Sequence, residues 1–380
     1  MVEGIGIVGG GQLGRMLTEA AHPLGFHVTV LDPTPHAPAT KAGAEQLLGG
    51  LHDPEAIARL AAATDVVTWE IEHINADALV QLVRDGFNVQ PSPTTLQTIQ
   101  DKLVQKTMLR DAGLPVADFL ALDTGPSSHA RGQQLREVTR TLGGAVIFKT
   151  RRGGYDGRGN HVFTGDVDQL DTALGGDWVD LYAEKIIPFE KELSVLAARD
   201  LYGNIALYPT VETFHQDNIC HTVVFPANLK PALAERAQDI AHETMRQLEG
   251  AGVFAIEMFV TESEVLINEI APRVHNSGHH TIEANVTSQF EQHVRAITGM
   301  PLGSTAPRSP AAAMVNVLGT REEPLTRIGL DRVLAEPDTH PHYYGKSSRP
   351  ARKIGHITVL GDRSEDVLDR ARRAREALTI

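Results

Sequence analysis

Along its first hundred residues the chain switches between two spacings of apolar positions. Ile5 to Val8 is a short continuous apolar run, as expected of a strand covered on both faces, and a helical apolar spacing follows from Leu13. His27 to Leu31 reads as a second strand and ends at Asp32. Asp53-Pro54 reads as an N-cap followed by proline at the first helical position, opening a helix through Ala62. Asp65 to Trp69 is another apolar strand, running into Glu70-Ile71-Glu72; Asn75 caps a further helix, and Asn88 to Gln90 closes the layer. Pro91-Ser92-Pro93 then breaks the pattern, so residues 1–97 are expected to form a small doubly wound α/β domain.

Beyond the break, Asp101 begins a helix that ends at Gly113, and shorter units continue to about residue 187. Residues 189–225 are strand-rich, with turns at Asp200–Asn204 and Gln216–Asn218. A long helix over 230–249 leads into two apolar strands, Val253–Val260 and Val265–Ile270, and a helix over 285–298 precedes the proline-spaced segment Thr305–Pro310. The remainder reads as a small mixed module. The expected division is 1–97, 98–306 and 307–380, with α/β character first and α+β character after it.

Composition narrows the function classes. A net charge of −13 argues against a nucleic-acid surface, which needs clustered cations. No apolar run approaches the roughly 18–20 residues that span a bilayer, and the N-terminus enters a strand without a basic leader, so neither a membrane segment nor a signal peptide is expected. Cys220 is the one cysteine, which excludes an internal disulfide and suits a reducing cytoplasm.

Three stretches carry chemistry. "GIVGGGQLGRM" places Gly9, Gly11 and Gly14 at G-x-G-x-x-G spacing between a strand and a helix, and Asp32 follows the second strand, as in a dinucleotide fold. "FAIEMFVTESEVLINEIAPRVHNSGHH" sets one carboxylate, Glu257 or Glu269, in each of two apolar strands joined by Thr261–Glu264. A short hairpin brings residue 257 opposite 268 or 269, where two buried like charges repel unless a divalent cation lies between them; one glutamate at a solvated strand edge is the plainer alternative. "AVIFKTRRGGYDGRGN" carries Lys149 to a strand end, then four glycines and three arginines, a composition suited to a lid over phosphates or, more plainly, to a solvated turn. Glu184 and Glu192 in "YAEKIIPFEKELSVLAARD", and Arg349, Arg352 and Lys353 in "SRPARKIGHI", fit surface charge as well as ligand contact.

A lysine after a strand, a basic glycine-rich lid and two glutamates on adjacent strands resemble the ATP-grasp superfamily. Within it, "GGGQLGRM", "GGYDGRG", "NEIAPRVHNSGH" and "RKIGH" are similar to the 5-(carboxyamino)imidazole ribonucleotide synthases of purine biosynthesis, with matches from residue 6 to residue 356. The resemblance implies an ATP-grasp fold behind a dinucleotide-type (pre-ATP-grasp) domain that binds no NAD, and a small C-terminal module. It implies ATP-dependent carboxylation of aminoimidazole ribonucleotide by bicarbonate through carboxyphosphate, with Mg²⁺ (Mn²⁺ as a substitute), a homodimer, and a separate mutase downstream. In the nucleotide site it places Lys102, Lys149, the lid Gly154, Tyr155, Asp156, Gly157, Arg158, Gly159 and Asn160, then Glu184, Lys185, Glu192, His215, Asn268 and Glu269, with Glu257 and Glu269 on the metal. Around bicarbonate and the ribonucleotide it places Tyr155, Arg158, Arg273, His275 and Asn276, with His275 as proton handler. For the ribonucleotide it adds Gly11, Gln12 and Leu13 with their free N–H groups, Arg349, Arg352, Lys353, and either Glu70 or Glu72, which strand alternation puts on one face.

Other ATP-grasp enzymes compete with this reading. A formate-dependent glycinamide ribonucleotide transformylase lacks the "GGYDGRG" and "HNSGH" wording, and a biotin-carboxylase-like subunit carries a different lid. A nicotinamide-dependent dehydrogenase would explain Asp32 and leave Glu257 and Glu269 idle, as would a ligand-binding protein without catalysis.

Overall fold

The computed structural model describes residues 2–122, 128–143, 145–154, 159–163, 180–320, 322 and 329–378. Four strands, β1 (Gly4–Val8), β2 (His27–Asp32), β3 (Glu45–Leu48) and β4 (Val66–Trp69), form a parallel sheet in the order β3-β2-β1-β4. Helices α1 (Gln12–Ala21), α2 (Pro54–Ala62) and α3 (Ala76–Arg84) cover it, which explains why β1 and β4 read as unbroken apolar runs. The expected caps form. Asp53 Oδ1 accepts the N–H groups of Glu55 (2.9 Å) and Ala56 (3.3 Å), and Asn75 Oδ1 accepts that of Ala78 (3.0 Å).

The proline break is shorter than expected. Pro93 occupies the first position of a helix, α4 (Pro93–Gln100), and Asp101 then caps α5 (Lys102–Asp111) through the N–H groups of Leu103 and Val104. Next comes a small antiparallel sheet of β5 (Phe119–Ala121), β6 (Val146–Thr150), β7 (Asn160–Phe163) and β8 (Leu181–Lys185), ordered β5-β8-β6-β7, backed by α6 (Ser128–Leu142).

A second antiparallel sheet takes most of what remains: β9 (Lys191–Arg199), β10 (Ile205–Leu207), β11 (Val211–Gln216), β12 (Ile219–Phe225), β13 (Gly252–Val260), β14 (Val265–Ala271), β15 (Ala311–Leu318), β16 (Thr339–Tyr343) and β17 (Lys353–Gly361). The order is β14-β13-β9-β11-β12-β15-β17-β16, with β10 beside β9. The C-terminal module is thus no detached body, since β15 pairs with β12 and extends the same sheet. The long helix α7 (Pro231–Gln247) packs on β9, β13 and β14 through Ile240, Ala241 and Met245. The expected helix over 285–298 starts later: after α8 (Thr281–Ala284), Ser288 caps α9 (Gln289–Thr298) by accepting the Glu291 N–H. The apolar face of α9 shares one core with α1, β1 and β2 and so joins the first sheet to the second. His293 completes that joint, its Nδ1 accepting the Val253 N–H (3.0 Å) and its Nε2 bonded to Thr68 Oγ1 (2.8 Å). Helices α10 (Leu330–Ala335) and α11 (Ser364–Ala377) close the C-terminal end.

Candidate active site

The two carboxylates singled out in the sequence do face each other, and a backbone irregularity makes it happen. Val260 pairs with Val265 and Met258 with Ile267, a register that would set Glu257 opposite Asn268 and turn Glu269 to the far side. A bulge between Glu257 and Met258 shifts the register by one, so Glu257 lies opposite Glu269 and both join the same cleft with Asn268. Burial, then the Glu269 charge, pushes the Glu257 carboxyl up to about 7, whereas the ammonium of Lys102, 2.9 Å from Glu269 Oε2, holds Glu269 low.

The cleft lies between the small sheet and the nine-stranded one, encloses about 340 Å³, and changes character along its length. One end is apolar, with Ile147, Val162, Ile186, Ile187, and Phe189 stacked on Phe259 at 4.5 Å. The other end holds Lys102, Lys149, Glu257, Glu269, His275 and Lys353. A flat apolar slot continued by fixed charges suits a base with a phosphate tail. Between them Glu192 pairs with His215, whose pKa burial would lower but the carboxylate raises on balance.

A second cavity of about 490 Å³ opens on the other side of the glutamate pair. Glu72, Arg273, Arg152, Gly153 and Gly154 line it, and the Arg273 guanidinium lies 2.8 Å from Glu72. The two spaces share a wall made of Lys102, Glu257, Glu269 and His275. In that wall, His275 Nδ1 accepts the Ser277 N–H (3.3 Å) and approaches Ser277 Oγ (2.9 Å). A backbone N–H can only donate, so the proton of the neutral ring sits on Nε2, 3.5 Å from Glu257 Oε1. Burial, then Arg273 and Lys353, keeps the ring well below its ordinary pKa and hence neutral. Asn276 also reaches the cleft, its amide paired with that of Asn316 (3.1 and 2.7 Å).

Several expected residues sit elsewhere. Glu70 and Glu72 do not share a face, because β4 ends at Trp69 and strand alternation stops with it. Glu70 folds back, buried, and accepts the N–H groups of Gly11 and Gly14 (2.6 Å for the latter), while Glu72 turns to the second cavity. The N–H groups of Gly11 and Gly14 are therefore taken rather than free, and Asp32 holds that of Gly10 (2.9 Å). The glycines serve this capture: Gly9 sits at φ +102, and a Cβ on Gly11 would come within 2.5 Å of Glu70 Oε1. Gln12 Oε1 accepts from Lys346 (2.8 Å), while Leu13 is buried in the core shared with α9. Lys353 lines the cleft, but Arg349 and Arg352 line neither space; Arg349 is exposed, 4.0 Å from Glu322, and Arg352 bonds Ser347. Glu184 is buried, its carboxylate held by Lys149 (2.8 Å) and Lys106 (3.2 Å), and Lys185 lines the cleft beside it. Gly159 and Asn160 are placed, with the Gly159 carbonyl accepting the Thr150 N–H, whereas Tyr155, Asp156, Gly157 and Arg158 lie outside the described residues.

Two lysines were missed. Lys106 stands four residues after Lys102 on α5, so both point to the same side of the helix; that spacing was the available signal. Lys346 has no sequence signal beyond an ordinary loop, yet folding brings it to Gln12 and near Glu70, and burial lowers its pKa to about 8.

Residues 2–100 match the ribonucleotide synthetase preATP-grasp domain, 107–290 the ATP-grasp domain, and 312–370 the phosphoribosylaminoimidazole carboxylase C-terminal domain. An N5-carboxyaminoimidazole ribonucleotide synthase from Synechococcus elongatus is 41% identical over 94% of this chain and 89% of its own. The chain belongs to the N5-carboxyaminoimidazole ribonucleotide synthase family. A phosphoribosylaminoimidazole carboxylase from Ogataea methanolica is 44% identical over 95% of this chain and 67% of its own length. The chain spans about two thirds of the length of the carboxylases it matches. Among solved structures, the Aspergillus clavatus N5-carboxyaminoimidazole synthase in complex with ADP and 5-aminoimidazole ribonucleotide superposes with a TM-score of 0.89, at 34% identity over 99% of this chain and 98% of that one. Among the described residues no group of three or more His, Cys, Asp or Glu side chains is arranged for a metal, and no helix is long and apolar enough to cross a membrane.

Proposed function

We propose that this protein is an ATP-dependent carbon–nitrogen ligase that carboxylates the exocyclic amine of 5-aminoimidazole ribonucleotide, giving N5-carboxyaminoimidazole ribonucleotide in purine biosynthesis. The observation that carries this reading is the wall of Lys102, Glu257, Glu269 and His275 between a nucleotide-shaped cleft and a second polar cavity. A phosphoryl group transferred at the charged end of the first space emerges at the edge of the second.

In this reading the base lies against Ile147, Val162, Phe189 and Phe259, with Lys185 alongside, and the ribose lies near Glu192 and His215. Lys149 and Lys102 take the phosphates, with Asn160 beside them. Glu257 and Glu269, with Asn268 beside them, would hold Mg²⁺ or Mn²⁺. Two facing carboxylates, with no group of three such ligands arranged for a metal among the described residues, would suit a cation that draws its remaining ligands from phosphate and water. Such a cation neutralises charge on the transferring phosphoryl group.

Bicarbonate attacks the γ-phosphorus: an O–P bond forms, the bond to the β-phosphate oxygen breaks, and ADP leaves. The amine nitrogen of the ribonucleotide then bonds to the carboxyl carbon of carboxyphosphate, or of the carbon dioxide it releases, the C–O bond to the phosphate breaks, and the departing phosphate takes up the amine proton. Arg273 and Glu72 bind on this side, with Lys353 reaching in from the charged end of the first cleft. The neutral His275 offers Nε2–H to an oxygen of the labile intermediate, and Asn276 flanks it. The family resemblance adds a homodimer and a mutase as consumer of the product, and a lone buried cysteine suits a cytoplasmic setting.

The test is ADP release from ATP and Mg²⁺. Release that requires both bicarbonate and aminoimidazole ribonucleotide is the expected result. Release driven by formate and glycinamide ribonucleotide would move the protein to a transformylase, and NADH binding without ATP turnover would return it to the dehydrogenases.

A further inference from the structure

Under the cleft lies a charge cluster whose buried members, Lys106 and Glu184, the proposed chemistry leaves without a role. Lys106 is buried on α5, and its ammonium lies 3.2 Å from Glu184 Oε2 and 3.1 Å from the Ile267 carbonyl of β14. Glu184 is equally buried; its other oxygen accepts from Lys149 at 2.8 Å, and the Tyr182 hydroxyl donates to Oε2 at 3.3 Å. Of these groups Lys149 also faces the cleft together with Glu184, whereas Lys106 lines neither space. The cluster therefore holds two cations around one anion, with its surplus positive charge on the side that opens to the nucleotide.

That arithmetic bears on how Lys149 can act. A carboxylate in so dry a place cannot remain without a counter-ion. If Lys149 were the sole partner of Glu184, moving its charge onto a phosphate would strand a buried anion, and the pair would resist being opened. With Lys106 in place, Glu184 keeps a cation, the tyrosine hydroxyl and a fixed position on β8 when Lys149 leaves. Burial alone would raise the Glu184 carboxyl; Lys106, and then Lys149, reverse this, so it stays ionised. Lys106 is itself anchored at the sheet edge by the Ile267 carbonyl, one residue before Asn268 and two before Glu269, and Gln105 next to it accepts the Ile270 N–H (3.0 Å). It is held from two sides and cannot follow Lys149 into the cleft.

We propose that Lys106 is a positioning residue: it is the permanent counter-ion of Glu184 and thereby releases the Lys149 ammonium to the nucleotide phosphates. The inference rests on the reading of Lys149 as a phosphate ligand. It needs no contact between Lys106 and any substrate.

The experiment compares the wild type, Lys106→Met, Glu184→Gln and the double variant, by titration with Mg²⁺ and a non-hydrolysable ATP analogue and by steady-state kinetics. Lys106→Met is expected to weaken nucleotide binding by roughly 30-fold or more, because a buried anion is left to hold Lys149. The KM for aminoimidazole ribonucleotide should stay within about threefold of the wild type, since uniform loss of structure is not the cause. The decisive variant is the double one. Removing the anion as well should return nucleotide affinity to within about fivefold of Glu184→Gln alone. Lys106→Met binding like the wild type overturns the proposal. So does a double variant that folds yet binds as poorly as Lys106→Met. Should Lys106→Met not fold, the double variant decides alone: affinity within about fivefold of Glu184→Gln supports the proposal, and weaker binding overturns it. A wild type that binds no nucleotide would overturn the proposed function itself, a result distinct from any ranking among the variants.

Discussion

The glycine turn of the first domain and the glutamate pair of the cleft both looked like ligand sites in the sequence, and folding treats them in opposite ways. At the turn, the chain supplies its own anions: Glu70 takes the N–H groups of Gly11 and Gly14, and Asp32 that of Gly10. The positive end of α1 is met in part from within, at the Gly11 and Gly14 N–H groups. At the cleft, the chain does the reverse. It adds a bulge that forces two carboxylates together, pushes one of them up to about 7, and sets Lys102 against the other. A motif whose glycine N–H groups are paired within the chain serves the scaffold at those positions, whereas charges kept apart from their compensation await something that supplies it. The difference lies in hydrogen-bond accounting rather than in residue type.

The cleft half of this comparison breaks most visibly at Glu269. Glu269→Gln keeps the shape and removes one of the two carboxylate charges, so ADP release dependent on bicarbonate and ribonucleotide should fall on the order of a thousandfold. Thermal stability should fall modestly, because Lys102 loses the carboxylate it holds low, a loss offset in part by relief of the like-charge contact with Glu257. Turnover that survives this substitution would remove the glutamate pair from the chemistry.

How much of this was legible follows from the range of each interaction. The strands Val253–Val260 and Val265–Ile270 and their two misplaced glutamates are local features, and they were read correctly to within a residue or two. The bulge that aligns the pair was not, because it alters only hydrogen-bond register. The helix Pro93–Gln100 was missed because a proline pair reads as a break, although proline is at home at the first helical position. Glu70 was misjudged for a different reason: its partners lie 59 and 56 residues away, and no spacing rule reaches that far. The merging of the C-terminal strands into the nine-stranded sheet is equally non-local.

The joint between the two regions gives the next effect. His293 spans it, with both ring nitrogens engaged, and burial lowers its pKa from 6.5 to about 3. The folded state therefore demands the neutral ring. Its contribution is complete above about pH 6.5 and is lost as pH falls towards 3. At about 1.4 kcal/mol per pH unit, this one group costs about 2 kcal/mol between pH 6.5 and 5. His279, His280 and His356 are buried, His275 is half-buried, and all four are shifted in the same direction, so the wild type should weaken steeply on acidification. Urea unfolding of the wild type and His293→Gln at pH 7.5 and pH 5 measures the share of His293. The variant should be less stable at pH 7.5 and show the smaller acid loss, whereas equal losses would mean that the buried ring takes up its proton without cost.

The smallest effect separates the two glutamates at the end of β4. Glu70→Gln leaves one amide oxygen for two backbone donors and turns an NH₂ group towards one of them, a cost offset in part because burial already pushes the Glu70 carboxyl up. The net loss should be about 1 kcal/mol of unfolding free energy, with the KM for ribonucleotide within about threefold of the wild type. Glu72→Gln should behave in the opposite way. Its partner is Arg273 at the wall of the second cavity, where the pair is partly open to solvent, so stability should move by no more than about 0.5 kcal/mol. The KM for ribonucleotide should rise instead, because a charge that orients Arg273 is gone. If Glu70→Gln raised that KM and left stability intact, the glycine turn would be a working ligand site after all, and Glu70 a residue that gives way to substrate rather than one that seals the helix end.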